Sequence, residues 1–107
     1  MGKHYRRAAA AVIQIYLELE EGTVGDTFDP RLLNFRMDVD RILKRIFSVN
    51  ERAALLCVHR RGLTAGEAVA LACIVTRKKP AAYIAALESR LGRSLQEYGL
   101  LDFQAYL

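Results

Sequence analysis

The sequence has no tryptophan, two prolines, two cysteines and two histidines, and almost no stretch in which Val, Ile or Thr alternate with polar residues. Each shortage excludes something. Cys57 and Cys73 form no CxxC pair and have no histidine at zinc-ligand spacing, which argues against a disulfide framework and a zinc site. Both lie in apolar helical contexts and are expected to be reduced and structural. His4 and His59 make no ligand set with a carboxylate pair, and lone His59, in the last turn of a helix, reads as a capping or surface residue. No Gly-rich phosphate loop follows a strand, and Ser48 and Ser94 occupy capping positions rather than a nucleophile elbow. Neither an enzyme nor a bound cofactor or metal is expected. No run is long enough to span a membrane. The apolar stretch after Arg6 and Arg7 is interrupted by Gln14 and Glu18 and lacks a cleavage signature, so a cytoplasmic location is expected.

What is present is helical periodicity. At 107 residues, 52% hydrophobic and 26% charged, the chain suits one all-α domain of about five helices. The net charge of +4 is unevenly spread. Residues 1–40 hold five Lys/Arg against seven Asp/Glu, residues 41–93 eleven against three, and residues 94–107 only Glu97 and Asp102. A basic middle between mildly acidic ends favours a polyanionic partner.

A first helix is expected from about Tyr5 to Glu21, apolar over most of its girth, with its charges inverted against the helix dipole. Gly22 to Asp29 reads as a loop. Asp29-Pro30 opens a second helix on which Leu32, Phe35, Val39, Ile42 and Ile46 recur at spacings of three and four. Ser48-Val49-Asn50-Glu51 is a capping box for a third helix, with Ala53, Leu56 and Cys57 as its expected buried edge and Gly62 as its C-terminal cap. Gly92 is expected to end the last long helix, because Ser94-Leu95-Gln96-Glu97 reads as another capping box. The chain thus divides into supporting or dimerisation helices (1–47), a core (48–93) and an apolar tail (94–107). The wide apolar face of the first helix and the tail Leu100 to Leu107 predict a homodimer, or a contact with a partner protein.

Within 48–93, the stretch from Gly62 to Leu91 is the most informative. Thr64 and Glu67 make a capping box, Ala68, Leu71 and Ala72 a small apolar face, and Ile74 to Lys79 break the pattern in a basic turn. Pro80 then starts a helix with Ile84, Leu87 and Leu91 on one face. This is a helix-turn-helix outline with Arg77, Lys78 and Lys79 at the mouth of its second helix. The helix dipole does not favour cations there, but a phosphate partner would.

The run from Phe47 to Leu91 resembles the fourth conserved region of sigma-70-type factors, the module borrowed by phage and gene-transfer regulators. Gly62, Leu63, Thr64, Glu67 and Ile74 stand in matching places, as do the apolar positions Ile84 and Leu87. Cys73 stands where the family's turn has Gly, and Pro80 lies inside the family's recognition-helix start, so the turn is expected to be reshaped or lengthened. The resemblance implies a small transcription regulator that binds double-stranded DNA, with RNA polymerase as a further partner. Arg77, Lys78 and Lys79 would hold phosphates, and Arg60, Arg61, Arg90 and Arg93 would extend the backbone contacts. Ala81, Ala82, Ala85, Glu88 and Ser89 are expected on the face away from the core, with Glu88 and Ser89 touching base edges and the alanines packing on thymine methyls. The other reading is a helical protein-interaction module, an RNA polymerase adaptor or an oligomeric scaffold, in which the basic turn is merely solvated.

Overall fold

The computed structural model describes residues 2–21 and 31–100. These form five helices: α1 (Gly2–Glu21), α2 (Arg31–Ile46), α3 (Val49–Arg61), α4 (Ala65–Leu71) and α5 (Pro80–Glu97). The loop expected at 22–29 and the tail 101–107 lie outside the described residues.

α1 lies at the centre. Ala9, Val12, Ile13, Tyr16 and Leu17 are all buried, at helical spacings of i, i+3, i+4, i+7 and i+8. The helix packs most extensively on α5 and also meets α2 and α3. The Tyr16 hydroxyl donates to Asp40 Oδ1 on α2 at 2.8 Å. The apolar girth expected to serve a dimer is therefore spent on the chain's own core. α2 contributes Phe35, Val39, Ile42 and Leu43 to that core, and Phe47 follows it. Ser48 and Thr64 cap α3 and α4 through complete boxes with Glu51 and Glu67, and Gly62 closes α3 at φ 64°.

Gly92 departs from expectation. It does not end a helix, because α5 runs unbroken to Glu97 and Ser94 caps nothing. A Cβ at this position would overlap the carbonyl of Tyr5. The glycine lets the α1 backbone lie directly on α5, and that packing outweighs its poor helix propensity of about 1 kcal/mol. α5 ends instead in a Schellman motif. Leu100 N–H donates to Leu95 O at 2.8 Å and Gly99 N–H to Gln96 O at 3.1 Å, with Gly99 at φ 70° and Leu100 buried.

The link from α4 to α5 is lengthened, as Cys73 and Pro80 led one to expect. It is residues 72–79, eight in all, rather than the three or four of a compact helix-turn-helix. It begins with a second Schellman motif: Ile74 N–H donates to Val69 O and Cys73 N–H to Ala70 O, both at 3.1 Å. Cys73 itself takes the left-handed conformation at φ 55°. It is exposed rather than part of an apolar core, while Cys57 is half-buried; both are free thiols.

Candidate nucleic-acid interface

Two anchors fix the connector. Ile74 packs against the core, and Pro80 opens α5 behind Lys79, whose extended backbone (φ −60°, ψ 142°) serves as N-cap. Between them, Thr76 Oγ1 accepts the Lys78 amide at 3.1 Å. Arg77, Lys78 and Lys79 are all exposed, and no carboxylate among the described residues pairs with them. The start of α5 has no side-chain cap and no acidic residue in its first turn. Proline brings no amide, so the N–H groups of Ala81 and Ala82 are left at the positive end of an 18-residue helix. Ala81 and Ala82 are exposed beside the cations, and Ala85 and Ser89 are half-exposed further along.

Glu88 is not on that face. It is 7% exposed, with Oε2 at 2.9 Å from His59 Nε2 and Oε1 at 3.3 Å from Arg6 Nε. Burial pushes its carboxyl up, but the hydrogen bonds and charges of His59 and Arg6 outweigh burial and hold it below the usual glutamate range. By position 88 the side of α5 that began exposed at Ala81 has turned beneath α1 and α3. His59 is accordingly a half-buried hydrogen-bond partner of Glu88 rather than a capping or surface residue. A lone carboxylate on an otherwise apolar helix face was the available signal for this cluster.

The four outlying arginines also divide. Arg90 Nη2 donates to Ile46 O at 2.9 Å and to Glu51 Oε1 at 3.3 Å, and the guanidinium lies 4.6 Å from the centre of the Phe47 ring. It staples α5 to the junction of α2 and α3, which limits any reach toward a phosphate. The Arg93 guanidinium sits 5.8 Å from the Tyr5 ring. Arg60 and Arg61, exposed at the end of α3, border a groove with Leu71 of α4.

Among the described residues no group of three or more His, Cys, Asp or Glu side chains could hold a metal ion. No helix there is long and apolar enough to cross a membrane. In comparison with known proteins, the chain matches no family model, no curated protein and no solved structure.

Proposed function

We propose that the chain is a small DNA-binding regulator that grips the duplex backbone through the connector between α4 and α5. One observation carries the reading: three exposed cations, with no carboxylate partner among the described residues, adjoin the uncapped, positive N-terminus of α5. Like charges gathered there repel one another and the helix dipole, and a phosphate relieves both. The Ala81 and Ala82 amides add two neutral donors to the same phosphate site.

Base reading on this surface is sparse. With Glu88 buried, the expected α5 contacts reduce to Ala81, Ala82, Ala85 and the hydroxyl of Ser89, which can meet thymine methyls and at most one base edge. Binding is therefore dominated by phosphate contacts, with modest sequence preference and steep salt dependence. A role in transcription, with RNA polymerase as a further partner, follows from the resemblance to sigma-factor modules.

The test is a salt series of binding to promoter and random duplexes. Replacing Arg77, Lys78 and Lys79 with Ala is expected to weaken binding to both duplexes alike. The slope of log K against log salt should flatten by about 0.9 for each phosphate that the variant no longer neutralises. Melting temperature should hardly move. Unchanged binding at every salt concentration would remove the connector as the DNA-gripping element.

A further inference from the structure

α3 carries two apolar stripes. Ala54 and Leu55, with Val58 beside them, face the core. Of Ala53, Leu56 and Cys57, expected from the sequence to be the buried edge, Ala53 is exposed, Cys57 is half-exposed, and Leu56 packs partly against the core while leaving the rest of its side chain open. Together with Arg60, Arg61 and Leu71 they line a groove of about 320 Å³. The α3 members follow one another at i, i+3, i+4, i+7 and i+8, a single helical face. Leu71, contributed by the last turn of α4, is 63% exposed. The lining holds no carboxylate, and both of its cations stand at the C-terminal end of α3.

We infer that this groove docks an acidic amphipathic helix of a partner protein. Its apolar side chains would lie on Ala53, Leu56 and Leu71, and its carboxylates would meet Arg60 and Arg61. Complementarity selects this occupant. Small residues at 53 and 57 leave room for an incoming leucine-sized side chain. Guanidinium groups bind carboxylates in a paired, directional way and are enriched at protein interfaces. A basic partner is repelled at the arginine end, and a duplex finds an apolar floor where it needs donors. From Ala53 to Arg61 the face runs roughly 12 Å, about two turns of a docked helix read through anchors at i, i+3 or i+4, and i+7. The inference does not depend on DNA binding by the connector.

The test titrates the isotope-labelled full chain with three probes, followed by nuclear magnetic resonance. One is a synthetic helix-forming peptide with leucines on one face and glutamates beside them, the second its twin with lysine for every glutamate, and the third a random DNA duplex. Amide shifts at Ala53, Leu56, Cys57 and Leu71 are expected with the acidic peptide alone. Affinity should fall roughly tenfold or more in Leu71→Glu and in Arg61→Gln, the size of losing one interfacial anchor. These positions are exposed, so the variants should keep the parent's thermal melt; Ala53→Glu, also exposed, gives an independent block. The inference is overturned by no groove shifts at about 1 mM acidic peptide, by equal shifts with the lysine twin, or by groove shifts caused by the duplex. Groove shifts that track the protein's own concentration, which would assign the face to a second copy, overturn it equally.

Discussion

At the scale of single residues, Glu88 shows how a side chain in a plausible recognition position can serve stability instead. It joins α5 to His59 on α3 and Arg6 on α1, and removing it strands a half-buried histidine. Glu88→Ala should cost roughly 1.5–3 kcal/mol, the range for hydrogen bonds to charged groups, measured by urea denaturation at neutral pH. The same carboxyl links folding to acid. Its folded pKa lies below the ordinary value of 4.5, so its stabilisation is complete above that value. It is lost as pH falls through the lower, folded one. Stability of the parent should therefore drop more steeply than that of Glu88→Gln below about pH 4.5; parallel curves from pH 7 to 3 would remove the cluster from the account. Cys73 offers the opposite opportunity. A non-glycine residue in the left-handed region costs about 1–2 kcal/mol, and glycine's greater backbone entropy returns about half of that. Cys73→Gly should accordingly stabilise the chain by roughly 0.5–1 kcal/mol in the same denaturation measurement.

At the scale of elements, the helix starts are the most legible part of the sequence. Ser48 with Glu51, Thr64 with Glu67, and Pro80 behind Lys79 act within four residues of themselves, so neighbouring letters contain the whole interaction. The end of α5 is not legible in this way, because Gly92 answers to Tyr5, far away in sequence, and not to Ser94. The face of α3 is hidden for a related reason: with apolar residues on two stripes, periodicity cannot say which stripe meets the core. The exposed cations of the connector are legible because charge at a helix start needs no tertiary information, whereas the withdrawal of Glu88 and Arg90 into internal pairs does. Gly92→Ala tests the element packing directly. The added methyl has only backbone to displace, so a loss of roughly 3 kcal/mol or more is expected, at or beyond the upper end for overpacking. Gly66→Ala, with nothing within 4 Å of the new carbon, should be neutral or stabilising in parallel thermal melts.

At the scale of the whole molecule, the all-α class and the five-helix order follow from periodicity, but the place of α1 does not. An apolar helix at one end of a chain reads equally well as core or as interface, and only its neighbours distinguish the two. Tyr16 and Leu19 are 4% and 7% exposed, so Tyr16→Glu with Leu19→Glu is expected to unfold the chain, seen as loss of helical circular dichroism. A folded monomeric double variant would put α1 at an interface instead. The pairing of α1 with α5 also bears on how the chain is born. α1 leaves the ribosome about 75 residues ahead of its main partner, which at 5–20 residues per second is a wait of about 4–15 s. Throughout that interval the part of its apolar face that α5 covers is bare, or borrowed by a chaperone, even once α2 and α3 have emerged to cover the rest. Moving α1 behind α5 by circular permutation would abolish the wait while keeping the α1–α5 packing, and should raise soluble yield more than it changes the melting temperature.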